Sequence, residues 1–564
     1  MASLLPPAIE QNKEFRLAFD LLKNTTHSLF LTGKAGSGKT TFLHYLRQHL
    51  PKKMVVLAPT GIAAVRAGGQ TIHSFFKIDY KELFLPDDPR LAFAKIEETF
   101  RIEDDFIQLV QGLELLVIDE VSMLRCDLVD VIDRILRVAR GMPLMPFGGL
   151  PVLWIGDLYQ LPPVVREEER ALLKNYYEPN FYFFQARVFR QDYRPVCIEL
   201  QKVYRQADHR FLSLLNRLRE NALTKEDRAL LRSRVDVEFQ PPPNSGFVTI
   251  CTHNRQAEAI NRSNLHRLKG KQHTFEAIVE GDFPPSMYPV EKELHLKVGA
   301  QVMFTKNNWS KGYYNGEVGI VRAIDEDEIL VEITGKDKEI IVEREEWENI
   351  RYRTHRVQNM PLSVETEVVG RFVQFPLRLA WAITVHKSQG MTFEKVYAEL
   401  HRAFAHGQVY VALSRCRSLE GLRLKSDIPA HSIRVDERIT AFIKEAQWHG
   451  KEVEQLIAQT LGDDFRVCDK AETIEQESID LTAPQESPEA WLAALPSLDS
   501  LQLMREAVEK QLPAGKEASD VLPKLLQWQL LCLAIEVKTA ENCPADWKAR
   551  WSLLQQMLKR WEKA

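Results

Sequence analysis

Residues 30–42, "FLTGKAGSGKTTF", carry glycines, a lysine and a threonine at spacings that suit phosphate binding. The pattern G-x-x-x-x-G-K-[ST] is filled by Gly33, Gly38, Lys39 and Thr40. These glycines and Gly36 let backbone N–H groups turn toward phosphate oxygens, and a following helix adds the positive end of its dipole. Lys39 would reach the terminal phosphates, and the Thr40 hydroxyl would ligate Mg²⁺. The loop therefore predicts a nucleotide-phosphate site.

A second stretch, "LLVIDEVSM", ends an apolar run in Asp119 and Glu120. The first carboxylate suits Mg²⁺, and its neighbour can orient or deprotonate an attacking water. A solvated strand end is the alternative interpretation when the pair is taken alone. Together with the upstream loop, the pair indicates an ATPase rather than a kinase-type phosphoryl transfer, since Glu120 suits water as the acceptor.

Three more side chains have chemistry that depends on this site. Gln160, in "WIGDLYQLPPV", could contact the γ-phosphate or the attacking water, although a simple turn residue is the alternative. Arg205, in "VYRQ", and Arg415, in "VALSR", lie far from the loop in sequence. An arginine delivered across a cleft stabilises the charge that develops during phosphoryl transfer.

Composition bounds the class of protein. The chain has 564 residues, 45% of them hydrophobic and 27% charged, which is ordinary for a soluble globular protein of several domains. No apolar run suits a membrane span, no basic and apolar leader is present, and the seven cysteines include no C-x-x-C pair. We therefore expect a cytoplasmic protein of bacterial type that binds no membrane. The net charge of −4 is concentrated in the acidic residues 462–490, so the rest of the chain is near neutral.

The elements that must position these side chains are short apolar strands. Four such runs occur in the first 160 residues: "SLFLT", "MVVLA", "LELLVID" and "PVLWIGD". Helical segments separate them, which predicts an α/β fold with a parallel sheet covered on both faces. Ligands of such sheets gather at the carboxyl ends of the strands, where the chemically active residues lie here.

A second set of α/β elements begins at "FVTICTHN" and resumes after Gln374, with a different pattern between them. Residues 280–375 alternate short strands with Asn-Gly and Gly turns, which predicts a small antiparallel barrel. Residues 449–490 are acidic and typical of a linker, and residues 491–564 are helical and rich in tryptophan and leucine.

The ordered blocks resemble those of the superfamily-one helicases, and residues 120–140 resemble the signature of the Pif family within it. The blocks are "GKAGSGKT", "APTGIAA", "TIHSFF", "IDEVSM", "GDLYQLPPV", "VYRQ", "ITVHKSQGMT" and "VYVALSR". The resemblance covers residues 12–440 and implies an ATP-dependent DNA helicase that moves 5′ to 3′ on single-stranded DNA. It implies two RecA-like P-loop domains with parallel sheets, a wedge insert and an SH3-like β-barrel insert. We predict domain one at 1–195 with the wedge at 77–112, and domain two at 196–448 with the barrel at 280–375.

The same resemblance implies roles for individual residues, with ATP and Mg²⁺ as cofactors. The catalytic candidates are Lys39, Glu120, Gln160, Arg205 and Arg415, and the metal candidates are Thr40 and Asp119. The nucleotide-binding candidates are Gly33, Gly36, Ser37, Gly38, Lys39, Thr40, Thr41, Gln11 and Gly390. Such helicases often read adenine with a glutamine near the N-terminus. Phe15 stands in that place here, with Gln11 nearby, so other nucleotides become possible substrates.

Single-stranded DNA needs a polar track for its backbone and aromatic platforms for its bases. The candidates are Thr60, His73, Phe75, Pro163, Thr384, His386 and Lys387, with Arg351 and Arg353 from the basic stretch "RYRTHR". The alternatives are a phenylalanine pair in a core, a satisfied core histidine and a solvated strand face.

The expected partners are single-stranded, forked or G-quadruplex DNA, with the chain acting as a monomer and its helical tail available to a protein partner. A nucleotide-gated binding protein that recruits a partner through this tail is the alternative from another class. An RNA helicase is disfavoured only by the family resemblance, because contacts to a 2′-hydroxyl cannot be recognised in these residues.

Overall fold

The apolar runs of the first 160 residues form strands whose side chains are almost entirely buried, as continuous apolar strands of a covered parallel sheet should be. The computed structural model describes residues 12–190, 193–206, 208–308, 310–355, 363–401 and 405–446. The first strands are β1 (Leu29–Gly33), β2 (Met54–Ala58), β3 (Gln70–Thr71), β4 (Leu115–Ile118), β5 (Val152–Ile155) and β6 (Val196–Leu200). They form one sheet in the order β3-β2-β4-β5-β1-β6, in which all neighbours are parallel. This confirms the predicted α/β class.

Helices cover both faces of this sheet. They are α1 (Lys13–Asn24), α2 (Lys39–His49), α3 (Gly61–Ala67), α4 (Ile72–Phe75), α5 (Ile96–Thr99), α6 (Asp104–Gly112), α7 (Cys126–Ala139) and α8 (Glu167–Leu173). Helix α1 begins after Asn12, whose side chain accepts the Phe15 N–H at 2.9 Å. The predicted wedge region, 77–112, consists of short 3-10 turns, α5 and α6, and its apolar side chains join the core beside α7.

The chain after β6 builds a second parallel sheet and an antiparallel insert. The helices are α9 (His209–Arg219), α10 (Lys225–Arg232), α11 (Asn254–Arg267) and α12 (Gln408–Leu413). The strands are β7 (Phe247–Cys251), β8 (His273–Glu276), β9 (Ile278–Gly281), β10 (Glu293–Leu296), β11 (Gln301–Phe304), β12 (Val318–Ile324), β13 (Glu328–Ile333), β14 (Glu339–Glu343), β15 (Glu345–His355), β16 (Ser363–Gln374), β17 (Leu377–Leu379), β18 (Ala382–Thr384), β19 (Lys395–Glu399) and β20 (Leu422–Leu424). The second sheet has the order β18-β7-β19-β20 and is parallel throughout.

The insert consists of three antiparallel sheets, in the orders β14-β13-β12-β11-β17, β15-β16-β9 and β10-β8. It runs from β8 to β17, and so begins before and ends after the predicted bounds of 280 and 375. Its classification as an SH3-like barrel stays a prediction. The β15–β16 hairpin reaches the first sheet, where the Tyr352 hydroxyl accepts the Val56 N–H at 3.0 Å.

The predicted boundary between the two domains, at residues 195 and 196, differs from the structure in two segments. Strand β6 pairs in parallel with β1 over its whole length, so the first sheet extends through Leu200. Residues 437–446 are helical and return to the first core, where Ile439 and Ile443 are buried. The Phe442 ring stacks on Phe184 with centroids 4.3 Å apart. The first domain therefore contains pieces from both ends of the second one, and residues 436–446 are called the return segment below.

Several predictions fall outside the described residues: Gln11, the acidic linker at 449–490 and the helical tail at 491–564. Among the helices that are described, none combines the length and apolar content that a bilayer crossing requires.

Candidate active site

The phosphate-binding candidates lie between β1 and α2, at the carboxyl edge of the first sheet. Helix α2 begins at Lys39, directly after Gly38. Gly36 has φ of +81°, and a Cβ there would lie 2.5 Å from the Cβ of Arg205, so only glycine fits beneath that arginine. The Lys39 ammonium donates to the carbonyl oxygens of Gly33 (2.7 Å) and Lys34 (3.2 Å). Burial lowers the pKa of Lys39, and the carboxylates of Asp157 and Glu120 oppose this effect.

The loop also leaves polar groups that a phosphate would satisfy. The Ser37 hydroxyl is buried with no hydrogen-bond partner. Thr40 and Thr41, in the first turn of α2, are exposed. A buried hydroxyl without a partner is costly, so the loop gains stability when an acceptor enters it. The residues present therefore fit a nucleotide phosphate.

The two predicted carboxylates follow β4. The Glu120 N–H donates to Asp119 Oδ1 at 2.9 Å, and Glu120 has φ of +53°, an uncommon conformation for a residue with a side chain. Burial, followed by the charge of Glu120, raises the pKa of Asp119 to about 7. A cation beside Asp119 would relieve this cost. Mg²⁺ typically takes one or two carboxylates and completes its shell with phosphates and water, so Asp119 and the exposed Thr40 hydroxyl fit such an ion.

Gln160 lies in a hydrogen-bond network that joins both domains. Its Nε2 donates to Asp157 Oδ2 at 3.2 Å. Its Oε1 accepts from Gln389 Nε2, also at 3.2 Å. Gln389 Nε2 reaches Glu120 Oε2 at 3.2 Å as well. Because Gln389 belongs to the loop after β18, the second domain contributes directly to the surroundings of Glu120.

The two predicted arginines lie at the same cleft. Arg205 Nη2 donates to the Gly390 carbonyl at 3.4 Å, while its Nη1 is buried without a hydrogen-bond partner. Burial lowers the pKa of Arg205 to about 10. Arg415 is 1% exposed, and its guanidinium donates to the carbonyls of Val411 and Met391 and to the Ser414 hydroxyl. Burial and then the charge of Arg205 lower the pKa of Arg415. Two cations so close together favour an anion between the domains.

Gly390 and Phe15 complete the nucleotide candidates within the described residues. Gly390 has φ of +79°, and a Cβ there would lie 2.9 Å from Arg66 Nη1, so this loop position needs glycine. Phe15 is buried, with its ring edge-on to Phe42 and Tyr45. Phe15 is therefore a core residue between α1 and α2, with almost no ring surface left for a base. Gln11, the predicted adenine reader, is not among the described residues.

The DNA candidates of the first domain divide between surface and core. The Thr60 hydroxyl caps α3 by accepting the Ala63 N–H at 3.3 Å. His73 on α4 is half-buried, and this burial lowers its pKa. Phe75 is a correction, since it is buried with its ring against Phe76, Phe106 and Tyr352 rather than open to a base. Pro163 is buried as well, which leaves little of it for a strand to contact.

The DNA candidates of the second domain also differ in access. Thr384 is 3% exposed, and its hydroxyl accepts the Lys387 N–H at 3.4 Å, so it holds the loop rather than a strand. His386 is half-buried, with its pKa lowered by burial. The Lys387 side chain is exposed. Of these three candidates, only Lys387 and His386 are exposed enough to contact a phosphate.

The basic stretch on β15 is not a free cationic patch. Arg351 lies 3.6 Å from Asp282 and Arg353 lies 2.5 Å from Glu367, while Tyr352 between them is buried against the first domain. The alternation of strand side chains places the two arginines on one face and the tyrosine on the other. Carboxylates therefore offset both charges, which favours the solvated strand face over a contact to DNA.

Known proteins resemble this chain in both sequence and structure. A sequence profile described as PIF1-like helicase matches residues 8–228. The human ATP-dependent DNA helicase PIF1 is 34% identical over 433 residues, which cover 74% of this chain and 60% of the human protein. The crystal structure of Bacteroides sp Pif1 in complex with ADP-AlF4 has 36% identity and a TM-score of 0.70, and the match covers 80% of this chain and 98% of that one. The chain belongs to the PIF1-like helicase family. A Bacteroides Pif1 structure in complex with ADP-AlF3 and ssDNA has 37% identity and a TM-score of 0.55, with 78% of this chain and 99% of that one covered.

Membership of this family confirms the resemblance predicted from the ordered blocks. The chain spans about three fifths of the length of the human relative, at 60%.

Sequence reasoning missed four residues of the cleft. Asp157 lies three residues before Gln160 and Gln389 lies directly before Gly390, both inside the quoted blocks, but one sequence does not show their contacts. Arg66, on α3, donates to the Gln389 carbonyl at 2.8 Å. Tyr204 is 50% exposed beside Gly38, and its N–H donates to the Gly36 carbonyl at 2.9 Å. An aromatic residue directly before Arg205 was the signal for a platform at this loop.

Proposed function

We propose that this chain is an ATP-driven DNA helicase that translocates 5′ to 3′ on single-stranded DNA. The observation that carries the proposal is the network in which Gln389 of the second domain bonds both Gln160 and Glu120 of the first. A hydrolysis site completed by two domains links nucleotide turnover to their relative movement. The names of the relatives, ATP-dependent DNA helicases, support the same activity. The direction of movement rests on the family resemblance alone.

The loop and Lys39 bind the phosphates in this proposal. Lys39 exchanges the carbonyl oxygens of Gly33 and Lys34 for phosphate oxygens, while the Ser37 hydroxyl gains the partner that it lacks. Mg²⁺, when bound by Thr40 and Asp119, supplies charge neutralisation to the phosphates. Tyr204 presents an exposed ring beside Gly38, which suits stacking of a nucleotide base.

Glu120, Gln160 and the arginines act on the reaction itself. Glu120 accepts the proton of the attacking water, and Gln160 orients that water through its amide. Arg205, with an unpaired Nη1 over the loop, donates to the transferring phosphoryl group. Arg415, fixed by three hydrogen-bond acceptors, adds positive charge to the same cleft.

Single-stranded DNA is proposed to run over the half-buried and exposed candidates of both domains. Thr60 and His73 contact the strand on one side, and His386 and Lys387 on the other, so closure of the cleft alternates the two grips. Such contacts to phosphates need no base specificity. Forked and G-quadruplex DNA are the proposed substrates, with the chain acting as a monomer.

ATP hydrolysis by the full chain, with and without a single-stranded DNA oligonucleotide, tests the proposal. We expect the oligonucleotide to raise kcat and K39A to remove both the basal and the stimulated rate. Unwinding of forks that carry only a 5′ or only a 3′ tail tests the direction. A hydrolysis rate that ignores DNA would contradict the motor, and stimulation by RNA alone would favour an RNA helicase.

A further inference from the structure

Asp157, which follows β5, is buried where the two domains meet. Its carboxylate is completely shielded from solvent. A buried carboxylate without a cation is strongly unfavourable, so its partner has to be equally well placed. That partner is Arg219, at the end of α9, whose Nη2 lies 3.2 Å from Asp157 Oδ1.

Arg219 is held from several directions at once. It is 4% exposed, and its Nη1 also lies 3.2 Å from Glu199 of β6. Its guanidinium lies over the Tyr159 ring at 4.2 Å from the centroid. Arginine suits this position because its planar fork can pair with two carboxylates while it stacks on a ring. The helix that carries it packs in the second core through Leu214, Leu215 and Leu218.

The second oxygen of Asp157 faces the reaction site. Asp157 Oδ2 accepts from Gln160 Nε2 at 3.2 Å and from the Tyr410 hydroxyl at 3.5 Å. Because this oxygen accepts both hydrogen bonds, the NH₂ end of the Gln160 amide is turned toward Asp157. The Gln160 carbonyl is thereby left to face Gln389, which also bonds Glu120.

We propose that Arg219 is a positioning residue that, by holding the Asp157 carboxylate in place, sets the orientation of the Gln160 amide for hydrolysis. The inference rests on the proposed function, since it concerns the same site. The path runs from Arg219 in the second domain to Asp157 and Gln160 in the first, then to Gln389 in the second and Glu120 in the first. Opening of the cleft breaks it at three contacts, so Gln160 is oriented only when the domains are together.

The test compares kcat and KM for ATP in the full chain at saturating single-stranded oligonucleotide, together with the affinity for a fluorescent ADP analogue. R219A is expected to lower kcat by about 100-fold, the loss that small misplacement of a catalytic group can cause. The KM for ATP and the ADP affinity should stay near those of the parent. Arg217 provides the matched control, because it lies on the same helix and pairs with Asp227 instead. R217A should keep the parent kcat.

A second arm separates positioning from general stability. If Arg219 acts through Gln160, R219A should have little further effect on kcat once Q160A is present. Equal losses in the parent and Q160A backgrounds would overturn the inference, as would a kcat of R219A within twofold of the parent.

R219K serves where R219A fails to fold, since it keeps the charge but cannot pair with both carboxylates. It should fold and show a lowered kcat with an unchanged KM, and a parent-like kcat would overturn the inference. A parent chain that DNA does not stimulate would contradict the proposed function instead, so the two failures are distinguishable.

Discussion

The same sequence blocks predict both the nucleotide cleft and the DNA track. In the structure the residues of the cleft lie together, whereas those of the track do not. The described cleft residues converge: Lys39, Glu120, Gln160, Arg205 and Arg415 all lie within one charged network. The DNA candidates divide into surface residues, such as Lys387, and residues of the interior, such as Phe75 and Thr384.

The difference follows from what each chemistry demands. A phosphate site needs loop residues with positive φ, polar residues at strand ends and cations at fixed positions. Each of these requirements restricts the residue type at its position in the sequence. A strand track needs hydroxyls, amides and rings, which are also the ordinary components of helix caps and cores. Residue type alone therefore identifies the first kind of site far better than the second.

Among the tests of this contrast, substitution of Arg205 in the cleft should have the largest effect on ATP hydrolysis. R205A removes a side chain that packs against Gly36 and whose Nη1 has no hydrogen-bond partner. We therefore expect kcat to fall about 10³-fold, the loss associated with an arginine that stabilises phosphoryl transfer. DNA-stimulated ATP hydrolysis measures it. R210A, an exposed arginine of the adjacent helix, is the control and should retain the parent rate. A loss smaller than about tenfold would exclude a direct role in the reaction.

The contrast between the cleft and the DNA track would weaken if Phe75 contacted single-stranded DNA. Because its ring is packed against three other aromatic rings, F75A should lower the free energy of unfolding by about 3–5 kcal/mol in urea titrations. F75L preserves most of the volume and should cost under about 1.5 kcal/mol. Its affinity for single-stranded DNA should equal that of the parent. Weakened DNA binding by a stable F75L protein would return Phe75 to the DNA track.

Whether a feature of the fold could be predicted from the sequence depends on how far apart in the chain its contacting residues lie. Strands β1, β2, β4 and β5 were predictable because each is a continuous apolar run, and the loop after β1 because its residue types are specific. The partner of β6 was not predictable, because its pairing with β1 joins residues far apart in the chain. The return segment was missed for the same reason, since helical periodicity does not say which core receives the helix.

The candidate site shows the same limit at the level of single contacts. Glu120 and Gln160 were predictable from their blocks, but the Gln389 side chain that joins them comes from the other domain. Arg219 carries no motif, and its importance follows only from its contact with the buried Asp157. Contacts between residues distant in sequence are set by packing, and one sequence does not reveal them.

Asp119 allows a smaller effect to be measured within the cleft. Its pKa is raised to about 7 by burial and by Glu120, so the nucleotide-free protein loses stability as the pH rises from about 4 to 7 and this carboxyl ionises. D119N removes that ionisation, and its thermal midpoint should exceed that of the parent by a margin that grows over this range and is constant above it. ATP hydrolysis should be lost. A margin that shrinks with rising pH would show that Asp119 is stabilised as a carboxylate.

Lys387 gives the smallest expected effect and tests the surface part of the track. Its side chain is exposed, so K387A should leave the thermal midpoint unchanged. Loss of one phosphate contact should reduce the slope of log affinity for single-stranded DNA against log salt by about 0.7. Lys395 is a suitable control, since it is exposed but is engaged by the Ser245 carbonyl at 3.1 Å in the second sheet. If K387A and K395A have the parent slope alike, the strand does not pass the loop after β18, and the half-buried His386 loses its proposed role too.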